Sequence, residues 1–212
     1  MDYRPYGAKT FTIDQKQFYD LYLTNADGTG QTRLTSSASL YAWSSDWSPD
    51  GKQIVFTRGK PDNPESALSI MKRDGSGLKQ LTDLPGQEWV PSWPPDGKRI
   101  AFVSKTEQDQ QIFAINADGS DLQQLTHTMA PTYGPDWSPD GRQIIYNSNA
   151  SGSDQLYTMN ADGSNQKQIT AKGVTNGGPP GRQMATGSPL FHPVMGMRMF
   201  SRSIPTGVEN GD

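Results

Sequence analysis

A six-residue turn motif headed by tryptophan occurs three times in the chain and strongly limits the folds that it can adopt. The motif reads WSPDGK from Trp47, WPPDGK from Trp93 and WSPDGR from Trp137. The tryptophans are 46 and 44 residues apart (93 − 47 and 137 − 93). A repeat of about 40–45 residues with several short strands is typical of a β-propeller blade.

A second turn motif, ADG or RDG, follows each tryptophan motif and also occurs once before the first of them. Its glycines are Gly28, Gly75, Gly119 and Gly163. In both motifs glycine takes the left-handed position that a short hairpin turn requires, and in SPDG the proline also presets the first turn position. The earliest copy, from Asp20 to Thr35, lacks the tryptophan motif.

The segments between the turns are short and apolar, which predicts four antiparallel strands per repeat, here called A to D. Strand A ends at the tryptophan, which is expected to pack as core between neighbouring blades. Strand D corresponds to the QLT or QIT segments. The residues assigned to structural roles in the repeat are Trp47, Pro49, Asp50, Gly51, Trp93, Pro95, Asp96, Gly97, Trp137, Pro139, Asp140, Gly141, Gly28, Gly75, Gly119 and Gly163.

Tandem WSPDGKxIAF…NxDGxxxxxLT units closely resemble the TolB-type β-propeller repeat, over residues 20–170. The resemblance implies an all-β partial propeller, with about three complete four-stranded blades and part of a preceding one. The predicted segments are 1–18 (N-terminal, part of a first blade), 19–35 (last strands of a partial blade), the blades 36–82, 83–126 and 127–170, and a tail, 171–212. In the full-length family the propeller is usually six-bladed and periplasmic.

Composition excludes several classes of function. The net charge is −3 and the pI about 5.4, which disfavours nucleic-acid binding. There is no cysteine, and no apolar run approaches the length of a membrane span. The first residues lack the apolar segment of a secretory signal, so the chain is either cytoplasmic or begins upstream of Met1. The compartment is therefore expected from the resemblance alone, as periplasmic or secreted.

No motif for catalysis, a metal or a cofactor stands out, and none of these is expected. NADGTG resembles the first half of a calcium-binding loop, but the closing glutamate is missing, so a turn is favoured. Asp46 and Asp136 precede their tryptophans and could hold a cation in a central channel, although Ser92 takes that place in the middle repeat. The two histidines, His127 and His192, are too few for a multi-histidine site.

The irregular loops are the best candidates for binding. The A–B and C–D turns share one rim of a blade, and the variable B–C and D–A loops share the other. Binding residues tend to lie on variable loops held by a rigid scaffold. The D–A loops contain Trp89, Glu88, His127 and Tyr133, which form the candidate partner-binding set. The alternative for the aromatic residues is packing on the adjacent blade.

Three functional hypotheses follow. The first is a non-enzymatic scaffold of the Tol-Pal type, or a related surface or periplasmic protein, that docks protein partners. The second is the propeller portion of an enzyme, because related blades cap prolyl-oligopeptidase-type peptidases and form oligogalacturonate lyases. The third is the sensor domain of a regulator. Open blade edges would also allow self-association.

A fourth tryptophan is expected near residue 181, where the chain instead reads GGPPGRQMA. In a frame that starts at the third base of the Pro180 codon, the codons permit W-S-P-D-G, and the glycine is forced. A one-base deletion near this codon would make the tail an out-of-frame translation of a further blade. The alternative is a divergent polar tail.

The deletion hypothesis makes a prediction about the gene. Inserting one base near the Pro180 codon should open a frame that encodes W-S-P-D-G and at least one more blade. Sequencing the gene from upstream of Met1 to beyond the stop codon checks this. Stop codons in the shifted frame, or a different residue pattern there, would refute the deletion.

Overall fold

The structure, a computed structural model, describes residues 8–14, 19–36, 40–60, 65–105 and 110–170, with the backbone alone for 8–14. Every described element is a β-strand, and the strands form four antiparallel sheets in chain order. The first sheet contains β1 (Ala8–Asp14), β2 (Tyr19–Asn25) and β3 (Thr32–Arg33). The second contains β4 (Tyr41–Trp47), β5 (Gln53–Gly59), β6 (Ser66–Lys72) and β7 (Lys79–Gln80).

The last two sheets repeat the four-stranded plan. The third contains β8 (Gln87–Ser92), β9 (Arg99–Lys105), β10 (Gln110–Asn116) and β11 (Gln123–Gln124). The fourth contains β12 (Thr132–Trp137), β13 (Gln143–Ser148), β14 (Gln155–Asn160) and β15 (Lys167–Gln168). The predicted fold class, three complete blades after a partial one, is confirmed. The predicted tail, 171–212, lies outside the described residues.

The two short turns of each blade lie on one rim, here called the turn rim. In the second sheet the Gly51 amide donates to the Ser48 carbonyl over 2.9 Å, with φ of 67° at Gly51. The Arg73 amide donates to the Lys52 carbonyl over 2.8 Å and so joins the C–D turn to the A–B turn. The opposite rim, the loop rim, contains the B–C and D–A connections. In the second sheet the two connections meet, because the Ser66 amide donates to the Gly86 carbonyl.

A threonine closes each sheet at the loop rim. The hydroxyl oxygen of the last residue in QLT, QIT or RLT accepts a backbone N–H from the adjacent C strand. All four contacts measure 2.9 Å, from Leu21 to Thr35, Leu68 to Thr82, Ile112 to Thr126 and Leu156 to Thr170. The two-residue D strand is therefore extended by a side-chain hydrogen bond.

Strand A of each complete blade contains a β-bulge that sets which face its residues occupy. Trp43 pairs with Thr57 and Asp46 with Val55, so both face the next sheet although they are three positions apart. Regular alternation would put them on opposite faces. The residues within the bulges at Ser44, Val90 and Gly134 have left-handed φ angles of 51°, 52° and 63°.

Three apolar clusters fill the spaces between successive sheets. Each cluster joins the forward face of one sheet, which looks toward the next sheet, to the back face of the following one. Trp47, Trp93 and Trp137 occupy the back faces, so their predicted packing between blades is confirmed. Trp93 is buried, whereas Trp47 and Trp137 are partly buried.

In the last three sheets, the glycine of the C–D turn lies against the preceding sheet. A Cβ atom at Gly75, Gly119 or Gly163 would lie 3.3, 3.6 or 2.7 Å from the carbonyl oxygen of Leu34, Leu81 or Leu125. Gly28 belongs to the first described sheet, and a Cβ there would have no atom within 4 Å. The turn glycine therefore has two roles, a left-handed backbone and a close approach between blades.

The outer edges offer little for strand pairing. All four D strands are two residues long and consist of Thr, Arg, Lys and Gln. Short, charged or polar edge strands disfavour pairing with another chain. The forward face of the fourth sheet is different, because Ile169 is 49% exposed whereas its counterparts Leu81 and Leu125 are 8% and 3% exposed.

The two roles of the turn glycine can be separated by substitution. Gly28→Ala, at φ of 88°, should cost about 1–2 kcal/mol because alanine is strained in the left-handed region. Gly163→Ala, at φ of 85°, adds a clash with Leu125 and should cost clearly more. Urea denaturation of both variants measures the difference. Equal losses would show that the glycine serves the turn alone.

Candidate functional site

The structure places the predicted site residues at the loop rim, but on strands as well as loops. Glu88 and Trp89 lie in β8, and Tyr133 lies in β12. Only His127 lies in a connection. The prediction that all four are loop residues is therefore wrong for three of them. The reason is that strand A begins earlier than expected in both blades, since Gln87 already pairs with Lys105 and Thr132 with Ser148.

Trp43, Trp89 and Tyr133 occupy the same position in three successive A strands, and we call them the aromatic row. Their partners across the sheet are Thr57, Val103 and Asn147. Each lies directly before the bulge, is on the forward face of its sheet and is half-buried. Sequence reasoning missed Trp43, although it precedes Trp89 by 46 residues (89 − 43), the spacing of the tryptophan motif.

Packing holds the aromatic row in place at both ends. The ring of Trp43 covers Gly59, since a Cβ on Gly59 would lie 3.0 Å from Trp43 Cη2. The phenol of Tyr133 is hydrogen-bonded to Asp154 in the B–C connection. Burial, and then the neighbouring Asp154 carboxylate, raise the pKa of Tyr133, so the phenol stays neutral and acts as a donor. Neighbouring groups thus hold the side chains of Trp43 and Tyr133.

Glu88 cannot contact a partner, because its side chain is 0% exposed. The Thr82 hydroxyl donates to Glu88 Oε2, and the Leu68 amide donates to the same oxygen over 3.0 Å. The Ser66 hydroxyl accepts the Glu88 amide and donates to the Glu88 carbonyl, both at 3.0 Å. Glu88 therefore joins its own blade to the preceding one, and its expected role in partner contact is wrong.

Hydrogen bonds fix the backbone of the loop that contains His127, and two of its side chains are exposed. Buried Gln111 donates from Nε2 to the Thr128 carbonyl over 2.6 Å and accepts the Thr128 amide over 3.3 Å. The Thr128 hydroxyl donates to the Ala130 carbonyl over 2.6 Å. His127 and Met129 are exposed on this loop. Met129 was not among the sequence candidates, and its only signal is a large apolar residue in a connection between strands.

The carboxylates of Asp46 and Asp136, the candidate cation ligands, accept hydrogen bonds within the fold. Asp46 Oδ2 accepts the Trp93 amide over 2.8 Å, and Asp136 Oδ1 accepts the Ser92 hydroxyl over 3.2 Å. Both contacts join neighbouring blades. Among the residues that the structure describes, no group of three or more histidine, aspartate or glutamate side chains could hold a metal ion.

The aspartates of the C–D turns accept hydrogen bonds from their own turns. A hydroxyl two residues later donates to each carboxylate and, with the amide of the same residue, lowers its pKa. The pairs are Asp27 with Thr29, Asp74 with Ser76, Asp118 with Ser120 and Asp162 with Ser164. This arrangement is a turn, as predicted, and needs no cation.

The stacked four-stranded sheets, with an aromatic group at the loop rim of each A strand, define a β-propeller repeat protein. The family model described as TolB beta propeller domain matches residues 5–191, and the chain belongs to this family. No curated protein sequence matches the chain. In the described ranges, no helix is long and apolar enough to cross a membrane.

Solved structures share the fold at low sequence identity. TolB from Acinetobacter baumannii is 23% identical with a TM-score of 0.68, over 79% of this chain and 42% of that one. Putative TolB from Agrobacterium tumefaciens is 24% identical with a TM-score of 0.65, over 76% and 59%. Oligogalacturonate lyase from Vibrio parahaemolyticus is 12% identical with a TM-score of 0.60, over 77% and 49%. The chain thus spans less than two thirds of these structures.

Glu88 should make the stability of the protein depend on pH. Burial raises the pKa of Glu88 from 4.5 to about 6, so folding favours the protonated carboxyl. The contribution of Glu88 to the free energy of unfolding should therefore be greatest below the pKa that Glu88 has in the unfolded chain. It should fall by about 2 kcal/mol as the pH rises through 6. Glu88→Gln should remove this loss, as measured by urea denaturation across that range.

The exposed Glu65 provides the matched control for this titration. In the Glu65→Gln variant, stability should still fall as the pH rises from the pKa of Glu88 in the unfolded chain to its pKa in the folded protein. A Glu88→Gln variant with the same pH profile as the wild type would show that Glu88 titrates normally.

Proposed function

We propose that the chain is a non-enzymatic protein-binding scaffold whose loop rim docks a partner protein. The observation that carries this proposal is the aromatic row, in which three equivalent strands each place an aromatic side chain at the same rim. Aromatic residues at the centre of an interface often dominate its binding energy. Half-buried rings that are already ordered lose little conformational freedom on binding.

The two rims differ in what they offer a partner. On the turn rim the aspartates accept hydrogen bonds from their own turns, and backbone geometry limits the choice of residues. The loop rim offers Trp89, Tyr133, His127 and Met129 in addition to longer connections of variable sequence. The partner is expected to contact the third and fourth sheets, which contain Trp89 and Tyr133.

The structural roles of the polar groups support a binding protein rather than an enzyme. Asp46, Asp136 and Glu88 are the acidic side chains of the A strands, and each is hydrogen-bonded between blades. A carboxylate held in this way is poorly placed for proton transfer to a bound substrate. The rival function, the propeller portion of a peptidase or lyase, rests on the shared fold alone.

Family resemblance supports a periplasmic or secreted location and a partner of the Tol-Pal type. Both are proposals, because the chain spans only part of the TolB structures that it resembles. Self-association through the D-strand edges is a weaker proposal, since these edges are two residues long and polar.

The docking proposal can be tested with selected peptides. A phage library of peptides of about 12 residues would be selected on the 212-residue chain, and binders measured by titration. Trp89→Ala and Tyr133→Ala should each weaken binding by about 2 kcal/mol, near thirtyfold, with an unchanged circular dichroism spectrum. Tyr133→Phe keeps the ring and should retain most of the affinity.

The control lies on the opposite rim. Lys98→Ala removes an exposed side chain of the turn rim and should not change peptide affinity. Equal binding by the wild type, Trp89→Ala and Tyr133→Ala would remove the loop rim from consideration. Turnover of a peptide or an oligouronide by the purified chain would overturn the non-enzymatic proposal.

A further inference from the structure

We infer that the edge of β1 that faces away from β2, here called the β1 edge, is a second docking site, where an extended segment of a partner protein adds a fourth strand to the first sheet. Among the described residues, β1 pairs with β2 alone. The equivalent strands of the complete sheets, β5, β9 and β13, also pair with strand A. The β1 edge is separate from the loop rim, and the inference does not rest on docking there.

The strand β1 corresponds to strand B of a complete sheet, residue for residue. Ala8 begins β1 and pairs with Asn25. Gln53 begins β5 and pairs with Lys72. Asn25 and Lys72 both lie three positions before the C–D turn glycine (28 − 25 and 75 − 72). Gln53 faces strand A, because its amide donates to the Ser48 hydroxyl and its carbonyl accepts the Ser48 amide, both over 2.9 Å.

This correspondence shows which backbone groups the β1 edge offers. Because orientation alternates along a strand, Val55 faces strand A as Gln53 does, and its equivalent in β1 is Thr10. The β1 edge is seven residues long, whereas each strand D is two residues long. A long edge strand favours the addition of an extended peptide, and main-chain hydrogen bonds supply much of the affinity in this kind of recognition.

The interface between the first two sheets provides a second observation. Trp137 Nε1 donates to the carbonyl of Ser92, in strand A of the preceding sheet, over 3.1 Å. Trp47 is the equivalent tryptophan of the second sheet, and its buried Nε1 has no hydrogen-bond partner within the described part of the chain. The same is true of Trp93 Nε1, although Asp46 of the preceding strand A accepts the Trp93 amide. A strand on the β1 edge would bring a carbonyl to the position of Ser92, as an acceptor for Trp47.

The A strands of the complete sheets indicate the pattern of the partner segment. Each has an aromatic residue four positions before a tryptophan, as Trp43 precedes Trp47, with a bulge between the two. All five tryptophans of the chain belong to these three patterns, which already form or directly follow strand A of a complete sheet. The 212 residues contain no further copy, so we assign the β1 edge to a segment of a partner protein with this pattern.

A fluorescein-labelled peptide with the sequence of residues 40–48 is the probe, and its binding to the 212-residue chain is measured by fluorescence anisotropy. The Ser48 amide faces strand B, so by alternation the Asp46 amide does too and the Trp47 amide does not. N-methylation of the peptide at Asp46 should therefore lower affinity at least about tenfold. N-methylation at Trp47 is the matched control and should leave affinity within about threefold.

Two variants of the chain test the β1 edge itself. Thr10→Pro removes the amide that faces the added strand and should lower affinity at least about tenfold. Thr10→Ala keeps this amide and should bind within about twofold of the wild type. Trp89→Ala at the loop rim should leave binding of this peptide unchanged, so failure here is distinguishable from failure of the loop-rim proposal. Circular dichroism and thermal unfolding check that each variant is folded.

The inference fails if the peptide shows no saturable binding up to about 1 mM, or if the two methylated peptides bind equally. Equal binding by folded Thr10→Pro and Thr10→Ala would also overturn it. If Thr10→Pro does not fold, the pair of methylated peptides decides. Sedimentation of the free chain tests the other occupant, because a dimer that forms through the β1 edge of a second copy would exclude a partner segment.

Discussion

Packing of each sheet on the one before it is the interaction on which the whole structure depends. A four-stranded sheet with two apolar faces cannot bury both faces alone, so its stability comes from its neighbours. Each interface combines apolar side chains from two blades with a few polar contacts, such as Asp46 to the Trp93 amide. The turn glycines let the backbones approach closely enough for these contacts to form.

The bulge in strand A makes this packing compatible with the aromatic row at the loop rim. One short strand must place an aromatic residue and an interface residue on its forward face, and a tryptophan on its back face. Strict alternation cannot do this, whereas one extra residue in the left-handed region can. The same irregularity thus serves the core and directs the aromatic row, so stability and the candidate site share one backbone feature.

The repeat predicted the fold well because its signals are local. Proline, aspartate and glycine at fixed positions specify turns, and the short apolar segments between them specify strands. The aromatic position of the site was identified in two of three blades, because Trp89 and Tyr133 are aromatic residues in the variable segment between strand D and the tryptophan motif. Trp43 precedes Trp89 by the repeat spacing of 46 residues (89 − 43), so the sequence also contains the signal for its equivalence.

The remaining features depend on contacts between blades, which the sequence of one segment does not show. Glu88 looks like an exposed loop residue, but Thr82 and Leu68 of the preceding blade surround its carboxylate. Ser44, Val90 and Gly134 share no residue type that would signal a left-handed bulge. The loop that contains Met129 likewise depends on Gln111 of β10, which is hydrogen-bonded to the Thr128 backbone.

The direction of the turn contacts has a consequence for how the chain acquires its structure during synthesis. In the last three sheets, the C–D turn glycine lies against a carbonyl of the sheet that precedes it in the chain. A blade emerging from the ribosome therefore finds its docking surface already made, because domains and repeats form from the N-terminal side first. Growth by addition to an existing template shortens the time during which apolar faces are exposed to the solvent.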